Sequence, residues 1–314
     1  MTVRLAVVGA GAFGVKHLQA LAHIDDVEVV AVVSDDLAQA HSVADRFDVP
    51  EALNSYEAVL ARPDIDAVLL CTPTPLHTSQ TKQALLSGKH VQVEIPLAES
   101  WREAREIGAL AKDSGLVCMV GHTRRYNPSH QWVHQRIAAG EFTIQSMDIQ
   151  TFFFRRTNVN ALGEPRSWTD SLLWHHAAHS VDLFQYQTGR PLTVANALAG
   201  PLHPELGIPM DLSIQLKTDI GQICTIALSF NNEGPIGSHF RYIGDTATYV
   251  AHYDDLFTGN GEQIDLTDSF SSSDGVELQD RDFIGSVLTG HRPLTSIEKI
   301  IHCYETLGVL EGTL

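Results

Sequence analysis

Two short stretches of the sequence hold residues whose types and spacing suit chemistry. The first is Gly9-Ala10-Gly11-Ala12-Phe13-Gly14. In a GxGxxG turn between a strand and a helix, the first glycine permits the tight turn and the second lets the backbone approach a pyrophosphate. The third lets helix and strand pack closely. Phosphate is then held by the free N–H groups and positive dipole end of the helix. The second stretch holds His175, His176 and His179, followed by Asp182. On an α-helix His175, His179 and Asp182 fall at i, i+4 and i+7 and share one face, while His176 points elsewhere. A neutral imidazole, with an ordinary pKa of about 6.5, can take a hydroxyl proton near neutral pH. Three histidines also raise the question of zinc. No glutamate of an HExxH motif lies between His175 and His179 and no third ligand stands near, so no metal is expected.

The elements that must position these residues follow from hydrophobic periodicity. Over the first 120 residues, apolar β-branched runs at 3–8, 27–33, 67–71, 90–93 and 116–120 alternate with helical patterns. Such alternation predicts right-handed βαβ units and a doubly wound parallel sheet. Beyond Gly121 the pattern changes. A helix is predicted over 128–139, a strand over 145–154 and a helix over 171–188. Strands at 193–199, 211–217, 222–230, 239–243 and 246–252 follow, then helices at 279–290 and 295–311. Short turns such as Asp219-Ile220-Gly221 predict antiparallel pairing. The expected fold is therefore α/β: a Rossmann domain over residues 1–121, then an α+β domain over 122–314 with a large, mostly antiparallel sheet.

Composition narrows the partners. The 314 residues carry a formal charge of −17 with only 21 Lys and Arg, which disfavours nucleic acid and anionic membrane surfaces. The start of the chain has no signal-peptide pattern, and no run has the length to span a bilayer. Cys71, Cys118, Cys224 and Cys303 are scattered without metal spacing. They read as reduced thiols of a cytoplasmic protein. At the end of the second strand stand Ser34, Asp35 and Asp36. An acid there accepts from the ribose hydroxyls of NAD, whereas the 2′-phosphate of NADP calls for Arg or Lys; alternatively both acids merely cap the following helix.

Longer motifs carry a resemblance. Cys71-Thr72-Pro73-Thr74-Pro75-Leu76-His77 matches a strand ending in TPxxxH, and residues 88–96 match GKHVxxEKP except that Ile95 replaces the lysine. His175, His179 and Asp182 match DxxxHxxD with histidine for the first acid. Across essentially its whole length the chain resembles the Gfo/Idh/MocA family of dehydrogenases. The resemblance implies NAD or NADP as cofactor, held by Gly9, Gly11, Ala12, Phe13, Gly14, Ser34, Asp35, Thr72, Pro73, His77, Glu94 and Pro96. It further implies His179 as the base, His175 as its helper or a substrate ligand, and homodimers or homotetramers formed through the C-terminal sheet.

The two departures argue against an ordinary inositol or sugar dehydrogenase. Together with the blocks at 94–96, 121–131, 153–156, 166–170 and 172–179, they resemble a branch that oxidises the cyclic hemiacetal of a carboxylated ring-cleavage semialdehyde to a pyrone dicarboxylate. NADP is the usual acceptor of that branch, and Asp35 speaks against it. An anionic substrate requires local cations, and guanidinium forks match carboxylates. Arg124, Arg125, Arg155 and Arg166 are the candidates, with Trp168 and His176 beside them. Arg155 and Arg156 are neighbours on a strand and must face opposite ways, so at most one serves the site. The alternatives are a relative acting on another hydroxy acid or sugar acid, and a dinucleotide-binding regulator without catalysis.

Overall fold

The computed structural model describes residues 2–159, 163, 165–166 and 168–314. In chain order the elements are β1 Val3–Val8, α1 Ala12–Leu21, β2 Val27–Val33, α2 Leu37–Arg46, β3 Glu51–Leu53 and α3 Tyr56–Leu60. Next come β4 Ala67–Leu70, α4 Thr74–Leu86, β5 His90–Val93, α5 Trp101–Ser114, β6 Cys118–Val120, α6 Pro128–Ala138 and β7 Ile144–Phe152. A π-helical turn, Leu172–Ala177, leads into α7 Ala178–Thr188. Then follow β8 Leu192–Ala199, β9 Asp211–Thr218, β10 Ile223–Ser229, β11 Gly237–Gly244, β12 Thr248–His252, β13 Asp255–Thr258 and β14 Gln263–Ile264, and finally α8 Gly275–Thr289 and α9 Ile297–Glu311.

The chain divides into two compact units. One comprises Met1–His122 with Val276–Ile301, the other Thr123–Gly275 with His302–Leu314. The expected division at 121/122 therefore needs a correction: residues 276–301 belong with the first unit. Backbone pairing ties them there, since Val120 N donates to the carbonyl of Thr295 and Met119 bridges to Ser296. Such distant pairing leaves no trace in local periodicity.

The first unit is a six-stranded sheet of order β3-β2-β1-β4-β5-β6, with every pairing parallel. Its strands are nearly continuous apolar runs, and β4 is buried throughout, as a sheet covered on both faces requires. Helix boundaries follow their capping residues. Ser100 accepts from Glu103 N and its hydroxyl donates to the Glu103 carboxylate, while Gly115 in the left-handed region ends α5.

The second unit is built on an eight-stranded sheet of order β14-β13-β12-β11-β7-β10-β9-β8. All its pairings are antiparallel except β7 with β10. Alternation is clean on β9, where Leu212, Ile214, Leu216 and Thr218 are buried between exposed neighbours.

Candidate active site

In the first unit the glycine turn is shaped by what surrounds it. Gly9 has φ of 111°, and a Cβ there would run into the backbone carbonyl of Cys71. A Cβ on Gly14 would run into the carbonyl of Gly9, so helix and turn meet backbone to backbone. Gly11 caps α1 with no side chain over the helix end, and Ala12 and Phe13 are exposed in its first turn. Backbone packed tightly at Gly9 and Gly14, with open space at Gly11 before a ten-residue helix, fits the pyrophosphate of a dinucleotide. It lies beside the point where strand order reverses, between β1 and β4.

The other residues expected at the cofactor divide into two groups. Asp36 caps α2, accepting from Ala38 N at 2.9 Å and Gln39 N at 3.2 Å, which leaves Asp35 exposed at the end of β2. Ser34 is buried and its hydroxyl donates to Gln39 Oε1 at 2.9 Å. Thr72 and Pro73 lie between β4 and α4. Glu94 continues β5, its amide donating to the carbonyl of Leu70 at 2.9 Å, and Ile95 and Pro96 follow. His77 calls for a correction. It is 2% exposed, and its ring nitrogens lie 2.8 Å from the carbonyl of Pro96 and 2.7 Å from that of Thr72. It stitches the loop after β4 to the loop after β5. Ile95 is itself buried at 3% exposure, which suits an apolar side chain where the resemblance leads one to expect an ammonium.

In the second unit the arginines separate by role. Arg124 and Arg125 share a 3-10 turn, Thr123–Arg125. Arg125 is buried and pairs in bidentate fashion with Asp182, at 2.8 and 2.7 Å, with its guanidinium over the ring of Tyr186. It was expected at the substrate; instead it is committed within the unit, to Asp182. Arg124 turns the other way, over the rings of Tyr253 and Phe240. It donates to Asn127 Oδ1 at 3.3 Å, and its Nε meets no hydrogen-bond partner among the described residues.

Arg155 and Arg156 were expected as neighbours on a strand; β7 ends at Phe152 and both lie beyond it, yet they meet different partners. Arg156 is exposed and bonded to Asn231. Arg155 lies over the ring of Phe230 and donates from Nη2 to Asp170 Oδ2 at 3.1 Å. Arg166 donates to the same oxygen at 2.9 Å and lies 5.3 Å from the ring centre of the half-buried Trp168. Arg155 Nη1, Arg166 Nε and Arg166 Nη2 are buried donors without a partner among the described residues. Such donors are costly unless a ligand meets them. One carboxylate thus gathers two guanidiniums and leaves three donor nitrogens without a partner among the described residues.

Asp170 is the residue that sequence reasoning missed. Burial alone would raise its carboxyl, but His175 and the two arginines outweigh that and hold it at about 2. The available signal was an acid placed between an arginine-rich segment and three histidines.

The histidines sit on two kinds of helix. The single α-helix expected over 171–188 opens as a π-helical turn whose start Ser171 caps at Trp174 N. His175 and His176 lie in that wider turn and His179 in the first turn of α7, so the simple i, i+4 phase is altered. His175 Nδ1 is 3.9 Å from Asp170 Oδ1. The His176 ring is 4.7 Å from that of His175 and edge-on to Phe230 at 5.1 Å. Burial, then the charges of His175, Arg155 and Arg124, push the His176 pKa well below its ordinary value, so this imidazole is neutral. His179 is half-buried.

A Rossmann unit with a pyrophosphate cradle, and a sheet unit presenting histidines and open guanidiniums, define a dinucleotide-dependent oxidoreductase. The first unit matches the model of an oxidoreductase family with an NAD-binding Rossmann fold over residues 3–122. Residues 128–269 match that of the C-terminal domain of bacterial oxidoreductases. The chain belongs to the Gfo/Idh/MocA family and binds a nicotinamide dinucleotide, NAD or NADP. It is 55% identical over 312 residues, 99% of each chain, to the 4-carboxy-2-hydroxymuconate-6-semialdehyde dehydrogenase of a Sphingobium strain. An inositol 2-dehydrogenase of Rhizobium meliloti is 31% identical over 73% of this chain and 69% of its own. Among solved structures, an Agrobacterium radiobacter oxidoreductase in complex with NAD+, L-tartaric acid and magnesium superposes with a TM-score of 0.84 at 16% identity. The match covers 100% of this chain and 96% of that one.

Proposed function

We propose that the protein oxidises the cyclic hemiacetal of 4-carboxy-2-hydroxymuconate-6-semialdehyde to 2-pyrone-4,6-dicarboxylate. The observation that carries this reading is the Arg155–Asp170–Arg166 cluster, three of whose donor nitrogens have no partner among the described residues. Two cations against one acid leave a net positive charge, in a chain of −17, beside neutral imidazole. That is a receptor for a carboxylate. The near-full-length relationship to a dehydrogenase of this name supports the same choice.

The bound nicotinamide supplies the hydride acceptor. On the protein side, the arginines fix the carboxylates of the ring and so orient the hemiacetal carbon. His179 takes the hydroxyl proton as the C–H bond gives up its hydride and the carbonyl of the lactone forms. His175 and His176 line that hydroxyl, and Ile95 stands where the resemblance leads one to expect the proton-handling lysine. The first test is steady-state turnover of the semialdehyde with NAD and with NADP. Preferred turnover of a sugar acid, or tight dinucleotide binding without turnover, would replace this reading with another. The exposed Asp35 supports NAD as the better acceptor.

The sheet of the second unit supports a homodimer or homotetramer. Its edge and outer positions expose Val194, Leu198 and Ile223 at 47%, 68% and 47%, large apolar surface of the kind buried between subunits. Ile223→Glu should then lower the mass measured by light scattering. Cytoplasmic residence is part of the same proposal. The four cysteines are free thiols, as a reducing compartment keeps them, and no described helix is long and apolar enough to cross a membrane.

A further inference from the structure

The glycine helix buries a charge cluster that the proton transfer above does not use. His17, in the second turn of α1, is fully buried. Its Nδ1 lies 3.0 and 2.9 Å from the two oxygens of Asp280 on α8, and its Nε2 lies 3.1 Å from Glu94 Oε1. Gln92 on β5 donates to Asp280 Oδ1 at 2.7 Å. Both ring nitrogens thus face carboxylates. A neutral imidazole has one N–H, so only the imidazolium satisfies both contacts. Burial alone would lower the His17 pKa; Asp280 and Glu94 outweigh it and raise the pKa to about 10. Cys71, at the end of β4, stands beside this set, and burial first, then Glu94 and Asp280, keep it a thiol. Burial raises the Asp280 carboxyl against the pull of His17 and Gln92. Taken together, two carboxylates and one imidazolium sum to −1.

That charge has an address. Glu94 follows β5 at the carboxyl edge of the parallel sheet, and its side chain is 12% exposed. Behind it stands Gly121, where a Cβ would run into the carboxylate. Dinucleotides lie across this edge at the reversal of strand order, which here falls between β1 and β4. With the pyrophosphate on the turn after β1 and the adenosine ribose towards Asp35, the nicotinamide half would extend the other way, towards the ends of β4 and β5 and Glu94. The oxidised ring carries a positive charge and the reduced ring none.

We propose that His17 is a positioning residue: it fixes Glu94 as a carboxylate at the nicotinamide end of the sheet, and this anion makes the protein bind oxidised dinucleotide in preference to reduced. The consequence is directional, since the cofactor form consumed in a dehydrogenation is retained and the form produced is released.

The test is calorimetric titration of NAD+, NADH, NADP+ and NADPH into wild type, Glu94→Gln, His17→Gln and the double variant. Glu94→Gln keeps the shape and an acceptor for His17 while deleting the charge. It should lower the oxidised-to-reduced affinity ratio about tenfold, the scale of one partly screened charge pair. His17→Gln leaves Glu94 and Asp280 with no cation between them, so one of the two carboxylates takes up a proton and the ratio should become pH-dependent where the wild-type ratio is flat. The double variant, with no Glu94 charge to lose, should match Glu94→Gln. A loss of packing alone would weaken both forms equally. An unchanged ratio in Glu94→Gln overturns the proposal, and so does a wild-type, pH-independent ratio in His17→Gln. Should His17→Gln fail to fold, Asp280→Asn takes its place. It leaves imidazolium and Glu94 neutralising each other, and a wild-type ratio in it overturns the proposal equally.

Discussion

Arg166→Gln isolates the carboxylate receptor. In the wild type, Arg166 spends Nη1 on Asp170 at 2.9 Å, while Nε and Nη2 have no partner among the described residues. Glutamine removes the charge and the fork together. The two guanidiniums and one carboxylate carry a net +1, so the variant cluster has no net charge left for a substrate anion. A unit charge pair about 4 Å apart is worth about 4 kcal/mol at an effective dielectric of 20. Losing a charge-assisted hydrogen bond costs about 1.5–3 kcal/mol. Because Asp170 already neutralises part of the field, we take about 3 kcal/mol for the loss. This corresponds to roughly 150-fold in kcat/KM, at about 1.4 kcal/mol per decade. Most of it should fall on KM, since the contact holds ground state and transition state alike. Arg166→Lys restores charge without the fork and should lie between, about tenfold down. The assay is initial-rate kinetics on the semialdehyde, with dinucleotide affinity measured separately and expected to stay within about twofold, a change too small to alter cofactor saturation. A folded Arg166→Gln protein whose kcat/KM falls less than about threefold, under 0.7 kcal/mol, would refute the assignment.

Four further outcomes follow from the geometry. Arg125→Met strips Asp182 of its guanidinium inside the second unit and should cost about 3–5 kcal/mol of stability; thermal melting measures it, and an unchanged Tm with raised KM would return Arg125 to the substrate. His179→Ala should abolish turnover while leaving dinucleotide affinity intact, and retention of most of the rate would remove it as the base. Gly9→Ala, at φ of 111° against the Cys71 carbonyl, should destabilise by more than about 1 kcal/mol and abolish cofactor binding in titration. His176 has a folded pKa below its unfolded value. The unfolded chain therefore takes up a proton that the folded one refuses, and stability is lost as pH falls below about 6.5. His176→Phe should flatten the acid limb of unfolding free energy by about 1.4 kcal/mol per pH unit, and an unaltered slope would count against a neutral His176.

What could be read from the sequence is what local spacing encodes. The glycine turn follows from a fixed turn geometry, and the parallel strands of the first unit from apolar runs alternating with helical patterns; that Arg155 and Arg156 diverge was expected, while which of them meets Asp170 was not legible. The helix at 171–188 was legible as a helix, but its opening π turn was not, because widening by one residue leaves the apolar pattern nearly intact. Arg124 and Arg125 show the limit clearly. Adjacent residues in a 3-10 turn diverge, and only the remote Asp182 decides which of them is consumed. Asp170, His77 and His17 owe their roles to partners that periodicity cannot pair with them, 15, 19 and 263 positions away. The short strands β3, β13 and β14 were missed because two to four residues carry too little alternation to register.

The return of residues 276–301 to the first unit sets a timetable for biosynthesis. Glu94, Gln92 and His17 leave the ribosome early, yet Asp280, which completes their cluster, follows Glu94 by roughly 190 residues, or roughly 10–40 s at ordinary elongation rates. Through that interval the glycine helix and β5 wait with an unfinished interior, while the whole sheet of the second unit is being made. A chain cut after residue 122 would carry every glycine of the cofactor cradle and still lack the segment that closes its own core. Nascent chains stalled before residue 280 should therefore depend on chaperones in a way that full-length chains do not.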